Sequence, residues 1–419
     1  MNRHRVHYSW VILLTTFVAL LIAAGVRSTP GVLIVPFEQY FGWNRAQISA
    51  ALAVNLLLYG FCGPFAAALL ELYGVRRVMT AALLLIILGT GMTTGMTASW
   101  QLMLLWGLVV GMGSGFLSPV LGTVVANRWF VKRRGLAVGI FSAAGSAGQI
   151  IFLPVFSWLL IGYSWQAVTW FISFTAVAAA GIVIGFMRNR PEDLDLLPYG
   201  AEQKTERLGD DDPWDLIFAG LKAAITHREF WLISGSFFVC GASTGGLVGT
   251  HFIPACVDHG VPEVTAAGIL AASGVCNLIG AVAAGWLSDK FDNRWLLFWF
   301  YLLRGITLAW LPFELGSTGS ISFILIIVFY GLDWVATIPP TVRLVSDIFG
   351  PLSGVVFGWM MVIHQIGAAL AAYSGGVLHS LLGSYQWPFI SCGILCFLAA
   401  GLVVKMKNHR QSKVAAVSP

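Results

Sequence analysis

RSTPGVLIVPFEQYFGWNR, residues 27–45, has a counterpart 218 positions further on, GGLVGTHFIPACVDHGVPE, residues 245–263. The two align without a gap, and the register continues to residues 76 and 294. The offset sets Gly31 on Gly249, Pro36 on Pro254, Gly42 on Gly260, Glu71 on Asp289 and Arg76 on Arg294. Both copies lie in long hydrophobic runs. Internal duplication of about half a polytopic membrane chain is a common plan of transporters, with the binding site between the halves near mid-membrane. The repeat therefore predicts two related halves and says where a site belongs.

Composition agrees. The chain is 58% hydrophobic and 10% charged, against roughly 25% charged in a soluble domain, which excludes a soluble globule of this length. A spanning helix needs roughly 20 apolar residues. Twelve segments qualify, at about 10–36, 46–70, 77–97, 101–126, 136–160, 165–187, 229–255, 264–288, 294–312, 320–341, 353–381 and 386–405. The expected fold is an all-α integral membrane protein of twelve transmembrane helices in two six-helix halves. Residues 1–187 form the N-terminal half, 188–228 a polar linker, and 229–419 the C-terminal half with a short tail. The linker holds Arg188, Arg190 and an acidic run at 210–212. Within it, residues 214–225 read as an amphipathic helix along the membrane surface.

Orientation follows from Lys and Arg. With the N-terminus in the cytoplasm, 21 of the 24 fall on the cytoplasmic side, Arg45 falls outside, and Arg27 and Arg304 fall within spans. This predicts a multi-pass protein of the cell (inner) membrane with linker and both termini cytoplasmic. The net charge of +5 is then a topology signal, and nucleic acid is not an expected partner; membrane lipid is. The first apolar run is too long for a cleavable signal peptide. The six cysteines have no metal-ligand spacing and read as buried free thiols, so no metal and no cofactor are expected. Gly107, Gly111 and Gly115, and likewise Gly135 and Gly139, recur every fourth residue, a spacing that lets helices approach closely in lipid. The stretch from Gly241 to Gly245 matches the nucleophile-elbow pattern. It falls within a membrane helix rather than a strand-to-helix turn, and no metallohydrolase or phosphate-loop motif occurs. The chain is not expected to be an enzyme.

Two loops repeat a charge layout. Glu71 is followed by Arg76 and Arg77 between segments 2 and 3, and Asp289 by Arg294 between segments 8 and 9. A carboxylate at one helix end and guanidinium groups at the next can form charge-assisted bonds that hold one conformation and break in another. The pair resembles the loop 2–3 and loop 8–9 signature of the major facilitator superfamily, departing from it at Leu72, where a basic residue is usual. A narrower resemblance runs from Trp129 and Phe130, through Lys132, Arg133 and Arg134, to Leu136, Ala137, Gly139, Ser142 and Gly145. This stretch is similar to the helix 5 signature of monocarboxylate transporters. Residues 31–45 and 330–350 look like a bacterial branch of that family. The resemblance covers essentially the whole chain and implies proton-linked movement of small carboxylates. It breaks at Asn277 and Ala281, where animal-type members carry an Asp and an Arg in helix 8, so lactate-like specificity does not carry over.

Charges left inside the membrane are costly and default to functional candidates. Arg27 lies in segment 1 just before Pro30 and Gly31, where a bend is expected, and can grip a carboxylate with two parallel hydrogen bonds. Asn55, Tyr59, Gln149, Asn277 and His364 lie at similar depth and complete the expected substrate site; the offset maps Tyr59 on Asn277, so these two are expected to face each other across the two-fold axis. Arg304 and Asp333 are expected to pair, with Asp333 or His364 carrying the proton. Glu71, Arg76, Arg77, Asp289 and Arg294 are the expected cytoplasmic gate. The reading is a secondary carrier of small organic anions, coupled to protons. An exporter of drugs or amphipathic compounds with the same fold is the alternative, and a transporter-derived sensor a further one.

Overall fold

The computed structural model describes residues 7–201 and 213–406; the acidic run at 210–212 and the basic tail lie outside the described residues. Twelve helices among them are long and apolar enough to cross a membrane. In chain order the spans are Tyr8–Ser28, Arg45–Leu72, Val75–Thr93, Ser99–Trp129, Arg134–Gly162, Trp165–Phe186, Arg228–Asp258, Glu263–Lys290, Asn293–Glu314, Ile321–Phe349, Ser353–Leu382 and Gln386–Val404. The helix Pro213–Ile225 precedes span 7. Span ends alternate between two faces. One, here the linker face, carries the linker and the starts of spans 1 and 7; the other is the far face.

Span 1 is broken as its prolines require. It runs Tyr8–Ser28, passes Thr29 and resumes as Pro30–Phe41. Pro30 has no N–H to give to Val26, and the Thr29 N–H takes that carbonyl instead at 3.3 Å. The resumed helix ends at Gly42 with φ of 69°, and its duplicate, Gly260, has φ of 80°. Side-chain-bearing residues rarely hold that left-handed conformation, which is why the repeat keeps glycine at both turns. Span 2 then opens with a capping box. The Asn44 side chain accepts from the Gln47 N–H at 2.8 Å, and Gln47 Oε1 accepts from the Asn44 N–H at 3.1 Å. This fixes Arg45 at the first helical position on the far face.

The halves pack on one another along two symmetry-related seams, span 2 against span 11 and span 5 against span 8, and the far ends of spans 1 and 7 also meet. At that meeting a Cβ added to Gly31 would lie 2.9 Å from the carbonyl oxygen of Gly249, its duplicate. The glycine stripe of span 4 is a packing surface. Built Cβ atoms at Gly107, Gly111 and Gly115 would lie 3.0 Å from Ala51, 3.0 Å from Asn55 and 2.7 Å from Cys62, all on span 2. The pair in span 5 is not, because Gly135 and Gly139 have no neighbour within 4 Å. Two spans carry π-helical turns, Met103–Val110 in span 4 and Ala242–Val248 in span 7. The helix Pro213–Ile225 seats between the linker-face ends of spans 2 and 11 rather than lying free. Trp359 Nε1 donates to the Ile217 carbonyl at 3.1 Å, and the Trp214 ring lies 5.9 Å from that of Phe65.

Candidate functional site

Arg27 and Tyr59 meet. Arg27 sits in the last turn of the first part of span 1, and its side chain is exposed. Its guanidinium carbon lies 4.5 Å from the centre of the Tyr59 ring, and Nη1 donates to the Tyr59 hydroxyl at 3.1 Å. Among the described residues no carboxylate pairs with it. The result is an aromatic-backed guanidinium with most of its donors open.

The other polar residues of the expected site divide among three places. Asn55 is buried and gives Nδ2 to the Trp106 carbonyl at 2.7 Å, tying span 2 to span 4 inside the N-terminal half. Gln149 and Asn277 lie on the seam of spans 5 and 8. Gln149 Nε2 donates to the Leu270 carbonyl at 2.7 Å, and Asn277 Nδ2 donates to Ser146 Oγ at 3.1 Å. Tyr59 and Asn277 do not bond each other across the axis, because each has its own partner. His364 faces span 7, its ring 4.6 Å from that of Phe237, and its buried Nδ1 has no partner among the described residues.

Arg304 and Asp333 form a pair inside the C-terminal half. Arg304 is wholly buried. Its Nε donates to Asp333 Oδ2 at 2.6 Å, Nη2 to the Asp333 carbonyl at 2.5 Å, and Nη1 to Cys240 Sγ at 3.2 Å and Ser243 Oγ at 3.4 Å. Every nitrogen of the guanidinium is engaged, so nothing is left with which to hold a ligand. Asp333 Oδ1, also buried, has no partner among the described residues.

The loop charges take partners other than those expected from their spacing. Glu71 pairs with Arg128 at 2.5 Å and Arg190 at 3.3 Å, not with Arg76 or Arg77. Arg76 instead donates to the Ile184 carbonyl in the last turn of span 6, where unpaired carbonyls attract a cation; Arg77 is exposed. Asp289 pairs with Arg343 at 3.7 Å. Arg294 is held at 2.6 Å by Asp292, which caps the start of its own helix.

One polar group was missed in the sequence. On the far face Arg45 donates to Glu38 at 2.9 Å and, with both terminal nitrogens, to the two oxygens of Asp258 at 2.6 Å each. His379 Nε2 lies 2.9 Å from Asp258. The only signal was that Arg45 is a lone cation on a face otherwise carrying carboxylates. The offset hides the pairing, because it maps Arg45 on Glu263 and Asp258 on Tyr40.

The profile described as Major Facilitator Superfamily matches residues 16–343 and again 252–418. The chain belongs to the major facilitator superfamily. It is accordingly a multi-pass membrane transporter. Monocarboxylate transporter 13 of Rattus norvegicus is 25% identical over 411 residues, covering 96% of this chain and 89% of the relative. The uncharacterized MFS-type transporter YcxA of Bacillus subtilis (strain 168) is 24% identical over 396 residues, covering 93% of each. Among solved structures, a bacterial homolog of the human lysosomal transporter Spinster, in an inward-facing and unoccupied conformation, superposes with a TM-score of 0.73 at 16% identity over 95% of this chain and 97% of that one. That likeness concerns the fold.

Proposed function

We propose that this transporter carries small organic anions of the monocarboxylate class across the cytoplasmic membrane by alternating access, coupled to protons, with linker and termini on the cytoplasmic side. The observation that carries the reading is Arg27. A guanidinium at this depth without a carboxylate partner is expensive unless it serves a ligand, and its fork suits a carboxylate. The names of the animal relatives point to the same cargo. Arg27 binds the carboxylate, with Tyr59 fixing the guanidinium plane. Gln149, Asn277 and Ser146 line the seam that parts when the halves rock. Asp333, with one oxygen unpaired, is the proton acceptor; on protonation its hold on Arg304 weakens. His364 is the second candidate for that role.

The test is uptake of labelled pyruvate into proteoliposomes with and without an inward proton gradient. Arg27→Ala should abolish it. Arg27→Lys, which keeps the charge but not the planar fork, should leave a small remnant. Near-normal uptake by folded Arg27→Ala removes Arg27 from the site. Movement of hydrophobic cations without pyruvate would replace the reading with that of an exporter.

A further inference from the structure

Arg45 is only 6% exposed, yet it lies at the far rim, where the halves meet. Its bonds sort by half. Nε goes to Glu38 in the N-terminal half, to which Arg45 itself belongs. Nη1 and Nη2 go to Asp258 in the C-terminal half, forked onto both of its oxygens. His379 and Tyr385, which also flank the guanidinium, belong to the C-terminal half as well, the tyrosine ring centre lying 5.3 Å from the guanidinium carbon. If the far face opens by separation of the halves, Glu38 remains and keeps the guanidinium oriented. Asp258 departs, and the edge it leaves bare is the two-nitrogen edge that binds carboxylates in parallel.

We propose that Arg45 is a second carboxylate site at the far mouth, for which Asp258 stands in while the mouth is shut. This rests on the reading that the halves separate and that the cargo is a small carboxylate. Closure is then an exchange of ligands: Asp258 returns to Arg45 and displaces the cargo, which moves inward. Span 2 supplies the route. Tyr59, which carries Arg27, follows Arg45 by fourteen residues, close to four turns at about 3.6 residues each, so the two lie on one side of the helix roughly 21 Å apart along its axis. A carboxylate entering from the far face meets one guanidinium at the rim and a second at depth along the same wall. Arg45 is also the one Lys or Arg that the topology puts on this face, so no other guanidinium or ammonium competes with it there for a carboxylate.

A latch with no ligand role makes a different prediction, and the sign decides between them. Substituting Asp258→Asn removes the internal competitor, and the KM for pyruvate presented at the far face should fall about threefold. Arg45→Gln removes the site itself, and the same KM should rise about tenfold, while KM from the linker face stays within about twofold. If Arg45 only latches, both substitutions free the same mouth and shift far-face KM in the same direction, which overturns the proposal. Should Arg45→Gln fail to fold, an unchanged or raised far-face KM in Asp258→Asn is still fatal. Arg45→Lys, which keeps the charge but not the two-nitrogen edge, then takes its place: far-face KM should rise for a carboxylate site and fall for a latch. The cargo reading is separated by a binding readout. Ser380 is exposed at this rim, its Oγ accepting the Ala46 N–H at 3.3 Å. Pyruvate should slow thiol labelling of Ser380→Cys from the far face, and that protection should vanish when Arg45→Gln is added. Protection without pyruvate transport keeps the rim site and discards the cargo reading. Transport without Arg45-dependent protection does the reverse.

Discussion

The two faces of the molecule hold their charges differently. On the far face Arg45 joins Asp258 across the boundary between the halves. On the linker face, among the described residues, no ion pair joins one half to the other: Glu71 pairs with Arg128 of its own half and Arg190 of the linker, Asp289 with Arg343, and Arg294 with Asp292. Packing differs by seam. Gly31 abuts Gly249 at the far end, whereas Gly135, Gly139 and Gly285, near the linker face on the seam of spans 5 and 8, have no neighbour within 4 Å. Spans 2 and 11 stay in touch near that face through Phe65 and Trp359, their rings 6.2 Å apart. A bond between moving bodies selects a conformation; a bond inside one body shapes that body. The far rim therefore decides the state seen here, closed at that face, and the linker-face charges set how the ends of each half are held.

The strongest way to break this contrast is to lock the far rim. Ala46→Cys with Ser380→Cys should form a disulfide under mild oxidation, because the Ser380 side chain already reaches the Ala46 backbone N–H at 3.3 Å. Transport should fall to background and return on reduction. Gly139→Cys with Gly285→Cys near the linker face should not cross-link in the resting protein. Failure of the first pair, or ready formation of the second, would reverse the assignment of the closed face.

Next in size is the buried pair, which tests whether the C-terminal half moves as one body. Arg304→Met or Asp333→Leu alone strands a buried charge and should destabilise by about 3–5 kcal/mol, read as a lower melting temperature in detergent and poorer expression. The double substitution should recover folding but not proton-driven accumulation. Single variants that melt like the parent would mean water reaches the pair. The linker-face acids should matter less. Glu71→Gln loses two arginine partners and should slow turnover more than Asp289→Asn, whose pair is largely exposed and worth about 0–1 kcal/mol. Accessibility of a cysteine at each mouth should shift in Glu71→Gln; lost turnover with both mouths unchanged would remove it from gating. The smallest effect is on topology alone. Single cysteines at Ser99, Gly162 and Ser384 should label from outside the cell with activity retained, and labelling of the linker from outside would exchange the two faces.

Much of the fold was legible because lipid imposes it. Span number, the duplicated turns at Gly42 and Gly260, the break before Pro30 and the helix at 213–225 all follow from chain-local rules on apolar length, glycine and proline. The π-helical turns did not show: Met103–Val110 is a nearly uniform apolar run and Ala242–Val248 a run mostly of small residues, and neither has a periodicity from which one extra residue per turn could be read. The buried pair of Arg304 and Asp333 was legible as a pair, whereas the loop and rim charges were legible only as individuals. Arg76 and Arg294 stand close in sequence to Glu71 and Asp289, yet a helix C-terminus and a capping aspartate hold them instead. Arg45 and Asp258, 213 residues apart, meet only because the halves close on each other.

The Gly31–Gly249 approach has an evolutionary consequence. The offset makes these two positions descendants of one ancestral residue, yet their surroundings are unlike. Any side chain at 31 would drive into the carbonyl of 249, whereas a methyl at 249 would meet its nearest atoms at 3.4 and 3.9 Å, in ordinary contact. Duplication thus copied a constraint that only one copy still needs. A saturation library should accept alanine at 249 and reject it at 31, so that the two genes' worth of sequence inside this chain are free to drift at different speeds.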